Sequence, residues 1–198
     1  MPAHAAFGLA LDKLDVAVVD DSRPMQALIC SMLTAYRVRR IRTFTDADHA
    51  LQALTVDSPH LVIAEAQMSP TNGLALLRRA RAPDRAPLCL TPFVLISAPT
   101  TRRVVEYSQR AGAHAFLIKP LSPSVLRLAI QRIVADSRQM GLTDQGYAPV
   151  GVDGQPESMS SLQEGDENLP LAVEDIETAD LGPLPAGRGY GALLGKRR

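Results

Sequence analysis

Short apolar runs that end at polar residues recur along the first two-thirds of the chain and predict a set of β-strands. Runs of this length that are rich in valine, isoleucine and leucine are typical of strands buried on both faces. One further run is more polar, contains three arginines and predicts an additional strand. In chain order, the predicted strands span residues 14–19, 38–44, 61–64, 93–96 and 115–118.

Apolar residues at helical spacing follow these strands and predict helices between them. The first predicted helix has its apolar face at Met25, Leu28, Ile29, Met32 and Leu33. The last has its apolar face at Leu126, Ala129, Ile130 and Ile133. Strands that alternate with helices imply a parallel sheet covered on both faces. The predicted fold class is therefore α/β, a flavodoxin-like, doubly wound sheet of five parallel strands in the order 2-1-3-4-5.

The periodic pattern stops after about residue 136, and this sets the predicted domain boundaries. We expect an N-terminal extension at residues 1–12, a folded domain at residues 13–137 and a tail at residues 138–198. The tail is rich in glycine, proline, serine and acidic residues, and it cannot bury enough apolar surface to offset the entropy of ordering. It is predicted to be disordered, although residues 169–176 are also compatible with a short helix formed on a partner.

The zero net charge of the chain hides a segregation of charge along its length. Residues 1–140 contain 17 Lys and Arg against 11 Asp and Glu, whereas residues 141–187 contain ten acids and no base. Residues 188–198 contain four bases and no acid. This pattern indicates a basic body, an acidic tail and a basic tip. Two roles stay open for the acidic stretch: it keeps the protein in solution, or it folds back on the basic body in a salt-sensitive contact.

Cysteine usage and hydropathy favour a protein of the cytoplasm. The two cysteines, Cys30 and Cys89, form no CxxC pair and no metal-ligand spacing, and we interpret them as buried thiols. No apolar run reaches the length that spans a membrane, and the first residues lack the basic start of a secretory signal.

Polar residues of complementary chemistry stand where the apolar strands end. The predicted strands end at Asp20 and Asp21, at Glu65, at Ser97 and at Lys119. The carboxyl ends of parallel strands meet at one edge of a doubly wound sheet, so that these side chains are expected to share a cleft. Neighbouring carboxylates repel and need a counter-charge, which a Mg²⁺ ion or the lysine can supply. The sequence therefore predicts an acidic pocket at this edge.

Four segments in this order resemble the receiver domain of response regulators. They are Val18-Val19-Asp20-Asp21-Ser22, then Leu61-Val62-Ile63-Ala64-Glu65 followed by Met68 and Gly73, then Leu95-Ile96-Ser97-Ala98, and last Phe116-Leu117-Ile118-Lys119-Pro120. Each segment alone is a weak signal. All four, each closing a strand, are specific, and the resemblance extends over residues 14–134.

The resemblance implies a role for each residue of the cleft. The acidic pair, Asp20 and Asp21, would bind Mg²⁺, the Ser97 hydroxyl would hydrogen-bond a phosphoryl group, and Lys119 would pair with it. Phe116 would report the state of the switch. The surface formed by the fourth helix, fifth strand and fifth helix, at residues 102–134, would meet protein partners, with the tail as a possible second contact. The implied function is a stand-alone, two-component signalling adaptor, with no catalytic residues of its own.

The chain departs from the family pattern at its central position. The phosphoacceptor of the family is an aspartate, whereas the matching residue here is Glu65, whose carboxylate lies one methylene farther from the backbone. In-line attack on a phosphodonor tolerates little misplacement, because much of its rate comes from positioning. Two hypotheses follow: Glu65 mimics the phosphorylated state by contacting Lys119 and Ser97, or the domain is an inert, receiver-shaped binding platform. Residual phosphorylation is the third outcome.

Other functions are compatible with parts of the sequence. Arg37, Arg39, Arg40 and Arg42 form the densest basic cluster of the body, and we interpret them as a solvated face or as an anion site for a cyclic dinucleotide or an acidic partner. Nucleic-acid binding is not expected, because no aromatic residues interleave with these bases. A Mg²⁺-dependent phosphatase or phosphotransferase would need a second acid two residues after its aspartate nucleophile, where this chain has Arg23 after Asp21.

Overall fold

The structure, a computed structural model, describes residues 2–98 and 100–150, and strands alternate with helices along most of this length. The elements are β1 (Asp15–Val19), α1 (Arg23–Ala35), β2 (Arg40–Phe44), α2 (Ala47–Val56), β3 (Leu61–Glu65), α3 (Gly73–Ala80), β4 (Phe93–Ser97), α4 (Arg102–Arg110), β5 (Ala115–Ile118), α5 (Pro123–Ala135), β6 (Gln139–Thr143) and β7 (Gly146–Val150). The first five strands form one parallel sheet in the order β2-β1-β3-β4-β5, which confirms the predicted fold class.

Two apolar layers cover the sheet, one on each face. Successive side chains of a strand point to opposite faces, so that Ala17 and Val19 of β1 pack in the layer with α2, α3 and α4. Val16 and Val18 pack in the layer with α1 and α5. Burial on both faces explains why β1, β3 and β4 are apolar almost throughout.

Each of the five principal helices begins with a side chain that accepts a hydrogen bond from the helix backbone. The N-cap residues are Ser22, Asp46, Asn72, Thr101 and Ser122. Such caps satisfy an otherwise unpaired N–H of the first turn, at a value of about 1 kcal/mol each. They start each helix within a few residues of the preceding strand, and the connections at the carboxyl edge of the sheet are therefore short.

Residues 139–150 correct the prediction of disorder from residue 138 onward. They form an antiparallel hairpin, β6–β7, whose Met140, Ala148 and Val150 are buried. The predicted N-terminal extension also packs on the body, since Ala5 N–H donates to the Leu90 carbonyl at 3.2 Å and Ala6 is buried. Few apolar residues are available here, and Leu142 is exposed, but Met140, Ala148 and Val150 are buried against a surface that the body already provides. Residues 151–198 of the predicted tail lie outside the described residues.

A fully buried arginine anchors this hairpin at the amino-terminal edge of the sheet. The Arg81 guanidinium donates to the backbone carbonyls of Cys89, Thr91 and Gly112 at 2.7–3.2 Å, and the Arg81 carbonyl accepts from Tyr147 N–H at 3.0 Å. Burial away from any carboxylate of the described residues lowers the pKa of Arg81 to about 9. The carbonyl dipoles therefore take the place of an acidic partner.

Two buried histidines lie near this edge of the sheet: His4 in the N-terminal segment and His114 directly before β5. The rings of His4 and His114 are 5.1 Å apart in an edge-to-face arrangement. His4 is tied to the Asp136 carbonyl at 3.0 Å, whereas neither ring nitrogen of His114 has a hydrogen-bond partner among the described residues. Burial lowers the pKa of both, and the Arg81 charge lowers the pKa of His114 further.

We predict that acid destabilises the fold through these histidines. Below pH 6.5, His4 and His114 bind protons in the unfolded chain but stay neutral in the folded protein. The free energy of unfolding therefore decreases as the pH falls. The decrease reaches about 1.4 kcal/mol per pH unit for each histidine that stays neutral in the fold. Urea unfolding at about pH 7.5 and about pH 5.5 measures it.

The variant His114→Leu should show a weaker pH dependence than the wild type, because it removes the more deeply buried of the two rings. His49→Leu, which changes an exposed histidine, is the control and should keep the dependence of the wild type. Equal pH dependence in wild type and His114→Leu would contradict this assignment.

Candidate functional site

An ion pair between Lys119 and Glu65 forms the centre of the carboxyl edge of the sheet. Glu65 is the last residue of β3, its side chain is only 5% exposed, and its Oε2 is in contact with Lys119 Nζ. The backbone brings the two residues together, because Lys119 N–H donates to the Ser97 carbonyl at 2.7 Å and Ala66 N–H donates to the Ile96 carbonyl at 2.6 Å. The predicted convergence of strand ends is thus present in the structure.

Asp20 provides a second buried carboxylate at this edge. Its Oδ1 accepts from Ser22 N–H at 2.8 Å, while its Oδ2 has no hydrogen-bond partner among the described residues. Burial raises the pKa of the Asp20 carboxyl above its usual value, with Glu65 and Asp21 adding to the rise and Lys119 opposing it. Asp21, by contrast, is exposed. The acidic pair is therefore split into one buried and one solvated carboxylate.

The other two residues predicted for the switch are both buried. Ser97 ends β4, and its hydroxyl has no hydrogen-bond partner among the described residues. Phe116 packs in the layer that also contains Tyr107 of α4. The structure therefore places Ser97 at the same edge of the sheet as Lys119 and places Phe116 in the apolar layer beneath α4.

Gln26 is a positioning residue that sequence reasoning missed. Its side-chain amide donates to the backbone carbonyls of Asp20 at 2.7 Å and Phe44 at 2.8 Å, and so it ties α1 to the ends of β1 and β2. The available signal was a glutamine on an otherwise apolar helix face, one turn after the acidic pair. A polar residue in such a place needs a partner, and the strand ends provide it.

Gly73 allows the start of α3 to approach the end of β3. A Cβ at this position would overlap the Glu65 carbonyl oxygen and lie 3.0 Å from the Glu65 carbonyl carbon. The loop between them also holds the carboxylate, since Gln67 N–H donates to Glu65 Oε1 at 3.2 Å. Both carboxylate oxygens of Glu65 therefore have a partner within the chain.

The structure divides the predicted arginine cluster into two pairs with different surroundings. Arg40 and Arg42 alternate on the edge strand β2, and both donate to the carboxylates of Asp15 and Asp57 at 2.9–3.3 Å. The other two members, Arg37 and Arg39, precede the strand and are exposed. The anion site stays a prediction, and the carboxylates that already offset the charges of Arg40 and Arg42 count against it at these two residues. No helix within the described residues is both long and apolar enough to cross a membrane.

Comparison with known proteins agrees with the fold. The response regulator receiver domain family matches residues 16–131, and the chain belongs to this family. It is 30% identical over 120 residues to the two-component response regulator ORR3 of Oryza sativa subsp. indica, covering 60% of this chain and 89% of that protein. It is 25% identical over 120 residues to chemotaxis protein CheY of Pseudomonas aeruginosa, covering 61% and 95%.

A solved structure shows the same fold. Chemotaxis protein CheY4 of Vibrio cholerae matches with a TM-score of 0.55 at 21% identity, covering 61% of this chain and 98% of that chain. The sequence-based identification as a receiver domain is therefore confirmed. Receiver domains act in two-component signalling through contact with protein partners.

The carboxylates of the cleft are only partly available to a Mg²⁺ ion in this structure. Receiver domains typically bind Mg²⁺ at the phosphorylation site, and Mg²⁺ prefers carboxylate oxygens together with waters. Within the described residues, no group of three or more His, Cys, Asp and Glu is placed to hold a metal. The Glu65 carboxylate is instead held by Lys119 and Gln67 N–H. Two buried carboxylate oxygens of the described residues have no hydrogen-bond partner: Glu65 Oε2, which is in contact with Lys119 Nζ, and Asp20 Oδ2, which forms no ion pair.

We predict a strong energetic coupling between Glu65 and Lys119. Unfolding free energies of wild type, Glu65→Gln, Lys119→Met and the double variant should give a coupling of about 1–3 kcal/mol, because the pair is largely removed from water. The exposed pair Arg102–Glu106 is the matched control and should give at most about 0.5 kcal/mol. A coupling at the Glu65 pair no larger than that of the control would contradict the contact.

We further predict that Gly73→Ala damages both stability and site geometry. The added Cβ forces α3 away from the end of β3, at a cost of about 3 kcal/mol, near the upper end for overpacking. Amide chemical shifts of Glu65 and Lys119 should change in this variant. Gly8→Ala adds a Cβ that meets nothing within 4 Å, and it should leave those shifts unchanged.

Proposed function

We propose that this receiver domain signals by protein contact without phosphorylation at its central carboxylate. In this proposal, Glu65 supplies a permanent negative charge to Lys119. The ion pair between Lys119 Nζ and Glu65 Oε2 is the observation that carries the proposal. A lysine turned away from Glu65 would have favoured a disabled site without any substitute for the phosphoryl group.

The surroundings of Glu65 also argue against ordinary phosphotransfer. A nucleophilic oxygen must approach a phosphodonor in line, and small displacements are costly for the rate. Glu65 is one methylene longer than aspartate, and its two oxygens are already engaged by Lys119 and by Gln67 N–H. Attack would require breaking one of these contacts in a buried site.

The mimicry in this proposal is partial. A carboxylate is planar and carries a single negative charge, whereas a phosphoryl group is tetrahedral and carries nearly two. Glu65 contacts Lys119, but the Ser97 hydroxyl has no hydrogen-bond partner among the described residues. One of the two contacts expected for the active state is therefore made, which supports a permanent but incomplete activation. The alternative hypothesis, an inert binding platform, also lacks phosphotransfer. The two hypotheses differ in whether Glu65 affects the binding of partners.

The surface of α4, β5 and α5 suits the contact with partners. On α5, Val125 is 36% exposed and Leu128 is 43% exposed, and the helix also carries exposed arginines. Apolar side chains flanked by arginine are typical of protein interfaces. The anion-binding alternative loses support, because Arg40 and Arg42 are already paired with acids.

We predict that Glu65→Asp alone makes the domain a phosphoacceptor. Wild type, Glu65→Asp and Glu65→Gln would be incubated with Mg²⁺ and a small acyl-phosphate donor and analysed by intact mass. Glu65→Asp should gain one phosphoryl group, because the shorter side chain withdraws from Lys119 and leaves room for the donor. Wild type should gain none. Glu65→Gln is the matched control for phosphorylation elsewhere in the chain.

The outcomes separate the hypotheses. Phosphate on wild type but not on Glu65→Gln would contradict the proposal, since Glu65 itself would then be the acceptor. If no variant reacts, the pocket has diverged beyond the one substitution, and the inert platform replaces mimicry as the better interpretation.

A further inference from the structure

The exposed face of α5 combines apolar and basic side chains and contains no acid. Val125, Leu128 and Arg132 are spaced by three and four residues and therefore lie along one stripe of the helix. Arg127 lies beside this stripe, with its guanidinium 5.9 Å from the ring of Tyr36. No Asp or Glu occurs between Pro123 and Ala135. This set of residues is the α5 patch.

The arginines of the α5 patch differ from several others of the body in their electrostatic surroundings. Arg40, Arg42, Arg79 and Arg102 each form an ion pair with an acid. Neither Arg127 nor Arg132 forms one with any carboxylate of the described residues. The patch therefore presents uncompensated positive charge next to exposed apolar surface, which an acidic and apolar segment would complement.

The described part of the chain ends close to this patch. Val150 is paired with Gln139, and Gln139 follows closely on Ala135, the last residue of α5. Val150, the last described residue, therefore lies near the carboxyl-terminal end of α5. Forty-eight further residues, 151–198, follow in the sequence.

One segment of this continuation matches the α5 patch in both charge and hydrophobicity. Residues 171–180 read Leu-Ala-Val-Glu-Asp-Ile-Glu-Thr-Ala-Asp, with apolar side chains among four acids and no base. The apolar side chains suit Val125 and Leu128, and the acids suit Arg127 and Arg132. We infer that this segment of the chain docks on the α5 patch within the same molecule.

The spacing between the patch and the segment favours an intramolecular contact. Twenty residues, 151–170, separate Val150 from Leu171. A random chain of that length spans about 25 Å on average, and α5, with 13 residues, is about 20 Å long. A connection whose reach matches the distance gives an effective concentration in the millimolar range. Weak contacts are therefore occupied without any partner molecule.

Docking on α5 would regulate the surface that meets partners, a consequence that rests on the proposed function. The α5 patch is part of the region at residues 102–134, and a bound segment would exclude a partner from it. The docking itself requires no partner, and it can be tested separately from signalling.

The experiment compares amide chemical shifts of the ¹⁵N-labelled full chain with those of a variant that neutralises the segment. The variant carries Glu174→Gln, Asp175→Asn, Glu177→Gln and Asp180→Asn. We expect the amides of residues 124–132 to shift between wild type and variant at about 50 mM salt and to converge at about 500 mM salt, because salt screens the ion pairs. Arg127→Gln combined with Arg132→Gln should remove the same salt-sensitive differences.

Matched controls separate docking from a general effect of charge. A control variant neutralises four acids that come earlier in the sequence, with Asp153→Asn, Glu157→Gln, Glu164→Gln and Asp166→Asn. It changes the net charge equally and should leave the amide shifts of residues 124–132 as in wild type. Arg39→Gln combined with Arg78→Gln removes two exposed arginines outside α5 and should likewise have no effect on them.

Three results would overturn the inference. Unchanged α5 shifts on neutralising residues 174–180 would show that the segment does not dock. Equal shifts in both acid variants would indicate a nonspecific field of charge. Shifts that disappear on dilution would show that a second copy of the chain, and not the same molecule, occupies the patch. Since no partner is present, none of these results depends on whether Glu65 mimics phosphorylation.

Discussion

Lys119 and Glu65 are in contact at the carboxyl edge of the sheet, and placing either charge there without the other would destabilise the folded protein. A buried carboxylate or ammonium group without its partner strongly destabilises the folded protein. Each of the two residues therefore needs the charge of the other. Their contact supplies the site with its own counter-charge. It also leaves the acidic pair unequal, because Lys119 acts on the buried Asp20 while Asp21 remains in solvent. The chemical character of this receiver domain follows from that one contact.

The two edges of the sheet satisfy their polar groups in different ways. At the carboxyl edge, charged side chains pair with each other, and Gln26 and the backbone N–H of Gln67 position the strands and the carboxylate. At the amino-terminal edge, the Arg81 cation is surrounded by backbone carbonyls and covered by the hairpin β6–β7. The first arrangement leaves a polar cleft near solvent. In the second, the hairpin covers the edge of the sheet. The last described residue, Val150, lies near the end of α5.

The accuracy of sequence reasoning varied with the kind of signal. Apolar periodicity located the five strands and their helices, because β1, β3 and β4 are buried on both faces and leave a continuous apolar pattern. The hairpin was missed, because its strands hold few apolar residues and gain their burial from a surface formed by distant parts of the chain. Arg81 gave no signal either, since its partners are carbonyls that any sequence possesses.

The order of residues by itself determined the fold class, the strand ends that form the site and the replacement of aspartate by Glu65. These features are local: strand burial, helix caps and the residue that follows each strand are all written in short stretches of sequence. Only the tertiary structure decided which charges meet. In the structure, Lys119 forms an ion pair with Glu65, and Arg40 and Arg42 form ion pairs with Asp15 and Asp57. Arg127 and Arg132 form no ion pair with an acid of the described residues. Pairing depends on distance in space, which the spacing of residues along the chain does not specify.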